Sequence, residues 1–154
     1  MEYVRKHSLD ARIIRIFNTY GPRLQKDDGR VISNFINQAI TGKPIMVYGK
    51  GGQTRSFCYI DDQVSGLLLA MFRPRTKGEV INIGSRYEFT VKEAAEIILK
   101  MTGSKSKIVY GPMPKDDPAR RKPDISKAKK LLGWAPKVKL EEGLRKTTDW
   151  FMNG

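Results

Sequence analysis

Three arginines in separate loop segments, Arg30, Arg55 and Arg121, are the residues best suited to chemistry in this sequence. A guanidinium fork matches phosphate oxygens in a bidentate way, and a diphosphate needs more than one such partner. Each arginine alone is as easily a solvated surface charge. Their case rests on Asn18, which ends the apolar run around Ile13, Ile14, Ile16 and Phe17 just before the turn Gly21-Pro22. Open α/β sheets bind ligands beyond the carboxyl ends of their strands, and an asparagine there offers both a donor and an acceptor. Helix starts near Arg30 and Ser126 would add backbone N–H groups aimed at an anion.

Other candidates carry less. His7, the single histidine, lies near the start of the chain and is expected at the surface. Cys58 sits in the apolar run Phe57-Cys58-Tyr59-Ile60, where a buried, inert thiol is expected. The acid pairs Asp27-Asp28, Asp61-Asp62 and Asp116-Asp117 read as helix caps and solvated loop groups, with no metal cluster. Gly49, Gly51 and Gly52 do not form G-x-G-x-x-G, so the sequence contains no dinucleotide phosphate loop. No tyrosine is followed four residues later by lysine.

Composition bounds the reading. A chain of 154 residues that is 40% hydrophobic is large enough to bury a core and is not disordered. No apolar run approaches the roughly 20 residues needed to span a membrane, and the first residues lack a signal-peptide core. The lone cysteine excludes an internal disulfide and points to a reducing, cytoplasmic compartment. The net charge of +13 favours anionic partners. Because the basic residues are dispersed and no binding motif appears, nucleic acid is not the expected partner.

The elements that must position these side chains alternate. Residues 1 to 8 read as the tail of a helix, and 12 to 17 as a buried strand. Val31, Ile32, Phe35, Ile36, Ala39 and Ile40 form a helical stripe that starts near Asp27 or Asp28 and ends at Gly42. Strands are expected at 45–48 and 56–60. Asp61-Asp62 is expected to cap a helix carrying Val64, Leu67, Leu68, Met71 and Phe72. A buried strand at 80–83 follows, then a capping box, Thr90-x-x-Glu93, opening a helix that runs to Gly103. After a strand at 107–110, residues 111–123 read as a proline-rich loop. Ser126 is expected to cap a helix stopped by Gly133, and a last helix runs from Leu140. Alternation of this kind indicates α/β with parallel pairing. So few core strands would leave a sheet edge unprotected, so the chain reads as part of something larger.

Taken together, several runs resemble the C-terminal half of the UDP-glucuronate decarboxylases (UDP-xylose synthases), of the extended short-chain dehydrogenase/reductase family. They are residues 15–23 (RIFNTYGPR), 28–35 (DGRVISNF), 53–59 (QTRSFCY), 81–84 (INIG), 121–128 (RKPDISKA) and 131–136 (LLGWAP). The resemblance implies a partial domain: the last strands of an NAD(P)-binding Rossmann-type sheet plus a smaller α/β substrate-binding lobe. Residues 1–154 would be its C-terminal portion, with the N-terminal nucleotide-binding half missing. It implies that Asn18 hydrogen-bonds the sugar–diphosphate, while Thr19 and Arg30 lie on the NAD side. Ile32, Ser33, Asn34 and Phe35 would line the uridine end. Tyr48 and Arg55 would hold the ribose and phosphates, and Arg121 would face the carboxylate or diphosphate end. Ala119 departs from the pattern, since an arginine is common there.

In such enzymes NAD oxidises the sugar C4 hydroxyl, the resulting β-keto acid loses carbon dioxide, and the ketone is reduced again within one site. The full-length family is expected to form homodimers. Without a Tyr-x-x-x-Lys pair for proton transfer, the chain alone is expected to be inactive. Alternatives are a fragment of a dTDP-glucose 4,6-dehydratase or nucleotide-sugar epimerase, a non-catalytic UDP-sugar- or partner-binding remnant, and a basic nucleic-acid-binding module.

Overall fold

The computed structural model of the chain describes residues 2–26 and 28–153. Met1 and Asp27, named above in the first helix and as a helix start, lie outside them. A short helix α1 (Glu2–His7) leads into strand β1 (Ile13–Ile16) and a two-residue strand β2 (Thr19–Tyr20). Helix α2 (Val31–Ile40), strand β3 (Ile45–Tyr48) and the short strands β4 (Thr54–Arg55) and β5 (Cys58–Tyr59) follow. Helix α3 (Ile60–Phe72) crosses over to β6 (Val80–Ile83). The remainder is β7 (Phe89–Thr90), α4 (Val91–Thr102), β8 (Ile108–Gly111), β9 (Arg120–Arg121), α5 (Ser126–Leu132) and α6 (Leu140–Asn153).

Parallel pairing dominates: β1 with β6, β2 with β5 and β3 with β8, while β4 lies between antiparallel β7 and parallel β9. Two cores form around these ladders. One gathers Tyr20, Ile32, Phe35, Ile36, Ile45, Val47, Phe57, Val91, Ile98, Leu144 and Phe151, where α2, α4 and α6 pack together over β3. The other gathers Cys58, Ile81, Ile83, Ile125, Leu132 and Trp134, joining β6 to α3 and α5. The α/β class, a sheet remnant beside a smaller lobe, matches the expected architecture.

Local chemistry explains most element ends. The capping box closes both ways: the Glu93 amide donates to Thr90 Oγ1 at 3.0 Å, and the Thr90 amide donates to Glu93 Oε2 at 2.7 Å. Gly103 and Gly133 take left-handed conformations that stop α4 and α5. Other expectations need correction. Ser126 is the first residue of α5 and not its cap, and its amide donates to Asp124 Oδ1 at 2.8 Å. Asp61 and Asp62 lie inside the first turn of α3, whose cap position is Tyr59. The expected strand over 56–60 is cut to Cys58–Tyr59, because residues 56–57 stand outside any strand and Ile60 already belongs to α3. Part of the proline-rich loop is strand β9, recruited by the exposed ladder of β4.

The largest departure is β1. Expected to be buried, it leaves Ile13 45% and Ile16 56% exposed, because it pairs with β6 alone. Among the described residues no strand pairs with the other edge of β1.

Gly143 in α6 shows how closely the lobe is packed against the Asn18 strand. A Cβ there would lie 2.2 Å from the Tyr20 hydroxyl oxygen and 2.8 Å from the Tyr59 ring. That hydroxyl donates to the Leu140 carbonyl at 3.3 Å. Gly143→Ala is therefore expected to destabilise the chain by about 1–3 kcal/mol despite its better helix propensity. Gly52→Ala, with open space at its Cβ, should be close to neutral; thermal melts of the two variants compare them directly. Cys58 is 1% exposed, and burial, helped by the nearby Asp62 charge, pushes its thiol up to about 12. A thiol reagent at about pH 8 should leave it unmodified in the folded chain and react on unfolding.

Candidate functional site

The site starts at the end of β1. Asn18 turns the chain with φ of +31°, a conformation that asparagine tolerates better than most residues. Its carbonyl accepts from the Cys58 amide at 3.1 Å, and its side-chain Nδ2 donates to the Ser56 carbonyl at 3.2 Å. These bonds tie the strand end to the 54–59 segment, which carries Arg55. Arg121 arrives on β9, in register with Arg55 on β4. Its segment is pinned to the end of β6, where Asn82 Nδ2 donates to the Asp124 carbonyl at 2.9 Å. A Cβ at Gly84 would meet Phe17 at 2.8 Å and Pro123 at 3.0 Å. The two strand ends and the Arg121 segment thus approach over a residue with no side chain.

Two cavities result. One, of ≈ 230 Å³, is lined by Asn18, Thr19, Tyr20, Arg30, Ile32, Arg55, Phe57, Asp117 and Arg121, among others. The other, of ≈ 240 Å³, includes Asn34, Phe35, Met46, Tyr48, Gln53, Arg55, Pro114 and Asp117 in its lining. Arg55, Asp117, Gly29 and Val31 belong to both, so the Arg55–Asp117 pair stands in their shared wall. The sequence-derived residues are brought together with one exception. Ser33 is fully buried, and its hydroxyl is engaged by Asp28 and by the Arg30 carbonyl at 3.1 Å, so it braces the start of α2 and does not line either cavity.

The electrostatics centre on Arg55, which is 5% exposed. Its Nη1 donates to the Thr54 carbonyl at 2.8 Å and its Nη2 pairs with Asp117 Oδ1. Asp117 was expected to be a solvated loop acid; it is the counter-ion of a buried guanidinium. Asp62 corrects the same expectation, since it is buried and accepts from the amides of Lys137 at 3.0 Å and Val138 at 2.9 Å. Asp28, also expected as a cap or solvated group, accepts from the Arg30 amide at 3.0 Å and pairs with its side chain at 3.3 Å. Residue type alone did not separate these acids. Asp117 carried a faint signal in standing only two residues before Ala119 in an arginine-rich segment. Arg120 points away from both cavities and forms a fork with Glu88, with Nε at 2.7 Å and Nη2 at 2.6 Å.

The Epimerase family model, described as the NAD dependent epimerase/dehydratase family, matches residues 1–84, more than half of the chain. The chain belongs to the NAD dependent epimerase/dehydratase family. Among curated proteins it is 52% identical over 143 residues to UDP-glucuronic acid decarboxylase 6 of Arabidopsis thaliana, covering 93% of this chain and 41% of that protein. UDP-glucuronic acid decarboxylase 1 of Danio rerio is 47% identical over 149 residues, covering 97% and 35%. The chain thus spans about two-fifths of the length of the curated relatives it matches. Among solved structures, UDP-glucose 4-epimerase of Thermotoga maritima with UDP-glucose superposes with a TM-score of 0.92 at 35% identity, covering 98% of this chain and 48% of that one. UDP-glucuronic acid 4-epimerase of Bacillus cereus, in complex with UDP-glucuronic acid and NAD, gives 0.91 at 32% identity, covering 98% and 48%.

The family is NAD dependent. Thr19 and Arg30 line the ≈ 230 Å³ cavity. Beneath Thr19, whose hydroxyl donates to Gln63 Oε1 at 3.2 Å, the buried Gln63 Nε2 finds no partner among the described residues.

Glu88 holds the outer side of this region, linking Thr54, Arg120 and Lys122. Hydrogen bonds from Arg120 first, then Lys122 and Thr54, hold its carboxyl well below the usual carboxylate range. A lowered folded-state pKa stabilises the fold above the unfolded-state value, about 4.3, and that contribution disappears as pH falls below it. Glu88→Gln should therefore lose stability relative to the native chain above about pH 5, and the gap should narrow steadily as pH falls below about 4. Urea melts across that range measure it.

Proposed function

We propose that this chain is the nucleotide-sugar-binding part of an NAD-dependent UDP-glucuronate decarboxylase of the reducing, cytoplasmic compartment. The observation that carries the reading is the convergence of Arg30, Arg55 and Arg121 with Asn18 on one cavity. Arg121 offers a fork to a diphosphate, Arg55, held by the Thr54 carbonyl and Asp117, adds positive charge from the adjacent strand, and Asn18 meets the ligand at the strand end. Tyr48, Asn34 and Phe35 form the second cavity, whose aromatic and amide character suits the uridine end. Thr19 and Arg30 hold the cofactor edge. NAD, when bound, supplies the hydride acceptor and donor; the residues of this chain bind and orient the sugar and exclude water.

The decarboxylase assignment is supported over an epimerase by the higher identity to the decarboxylases, 52% against 35% for the Thermotoga epimerase. Among the described residues no helix is long and apolar enough to cross a membrane. In this reading the chain binds its ligand without turning it over, because the acid–base pair that would move the C4 proton is absent from the sequence.

Calorimetry with UDP tests the binding. Arg121→Ala, at an exposed position, should weaken UDP by about 10–100-fold without altering the circular-dichroism spectrum. Absence of any UDP heat from the native, folded chain would refute the reading. With UDP-glucuronate and NAD, the chain by itself should release no carbon dioxide.

A further inference from the structure

Among the described residues, Arg121 is the cavity arginine whose charge stays unpaired. Arg55 is paired with Asp117 and Arg30 with Asp28, whereas the Arg121 guanidinium has neither an ion pair nor a hydrogen bond there. Its neighbours in the chain face the other way, and Arg120 and Lys122 line a separate hollow of ≈ 570 Å³ with Arg86 and Lys129. The strand that presents these residues has little of its own to hold it in register. β9 is two residues long, both of them arginine, so no apolar side chain on it selects a face. The Thr54 amide donates to the Ala119 carbonyl at 2.9 Å, and the Ser56 amide to the Arg121 carbonyl at 3.2 Å. Side chains alternate along a strand, so a slip of one residue would turn Arg121 out of the cavity and bring Arg120 or Lys122 in. All three are cations, and charge alone does not choose among them.

Glu88 makes that choice. It stands just before β7, on the far side of β4 from β9, and its carboxylate reaches across the middle strand. Oε1 accepts from Thr54 Oγ1 at 3.0 Å and from Arg120 Nε at 2.7 Å. Oε2 accepts from Arg120 Nη2 at 2.6 Å and pairs with Lys122 Nζ at 2.9 Å. One carboxylate thus engages positions 120 and 122 and leaves the residue between them to the opposite face.

We propose that Glu88 is a positioning residue: by clamping Arg120 and Lys122 it pins the register of β9 and so sets Arg121 toward the anionic part of the ligand. The role deepens the UDP-sugar reading of the cavity and rests on it. Fork-to-oxyanion recognition is lost when the fork is displaced by more than about 0.5 Å, so a loosened β9 weakens the ligand. Plain electrostatics predicts the opposite sign. A bystander carboxylate near an anion site opposes the anion, and neutralising it would tighten binding.

Two measurements on the full chain test the role. In calorimetry, Glu88→Gln should weaken UDP by about tenfold, against the electrostatic sign. In the Arg121→Ala background the same substitution should change UDP affinity by less than about twofold, because the group it positions is gone. A general loss of structure would weaken both backgrounds alike. Hydrogen exchange reads the register without any ligand. Glu88→Gln should speed exchange at the Thr54 and Ser56 amides by at least about tenfold more than at the Ile45 amide, which donates to the Lys107 carbonyl away from β9. Unchanged or tighter UDP binding by Glu88→Gln, equal losses in the two backgrounds, or exchange no faster at Thr54 and Ser56 than at Ile45 would overturn the positioning role. A native chain that gives no UDP heat sinks the UDP reading itself, and the exchange rates still decide whether Glu88 holds β9. A chain that binds UDP through Arg121 but is indifferent to Glu88 sinks only the inference drawn here.

Discussion

A guanidinium taken out of water needs an anion and hydrogen-bond acceptors around it, and the ligand-facing half of this molecule is arranged to meet that need at Arg55. Desolvating such a group costs several kcal/mol unless it is paired. The pairing comes from two directions, the Thr54 carbonyl on its own strand and the Asp117 carboxylate from the proline-rich segment. Meeting Arg55 brings that segment down over the lobe, and its continuation forms β9 beside β4, which delivers Arg121 in register. One buried charge thereby fixes two of the three arginines around the cavity. Arg30 depends on it least, being held by Asp28 at the start of α2.

The two cores meet around the same chain segment. Tyr20 belongs to the lobe, through its bond to Leu140 and its edge-on contacts with Phe57 and Tyr59, while Cys58 between those rings belongs to the sheet core. Alternation along residues 57–59 therefore stitches the lobe to the strand ladder. Trp134 reinforces the join from the far end, its indole N–H donating to the Asp62 carbonyl at 3.1 Å and to Ser65 Oγ at 3.0 Å. A ligand seated at the Asn18 end would touch both units, as nucleotide sites at the carboxyl ends of parallel strands do.

Much of this was legible beforehand where the signal is local. The Thr90-x-x-Glu93 box, the glycines after α4 and α5, and the stripe Ile32, Phe35, Ile36, Ala39 each specify their element through neighbours within one or two turns. Asn18 was legible for a related reason, since it stands where an apolar run meets a turn. The acids were not. Asp62 and Asp117 are short, charged and loop-adjacent, and only their partners 62 to 76 residues away along the chain decide that they are braces and not solvated groups. Ser33 illustrates the converse: its neighbours Ile32, Asn34 and Phe35 line the cavities, but its own hydroxyl is engaged by Asp28 and the Arg30 carbonyl at the start of α2.

The sequence by itself determined the α/β class, the parallel pairing, the glycine stops of α4 and α5 and the capping box that opens α4. These follow from periodicity, capping and residue chemistry, all of which act over short stretches of chain. Tertiary structure alone decided which charge neutralises which, that Arg120 serves Glu88 while Arg121 serves the cavity, and that β1 and α3 present apolar surface outward. Those outcomes depend on register between distant strands and on what lies across a sheet edge, and neither quantity is carried by any local pattern.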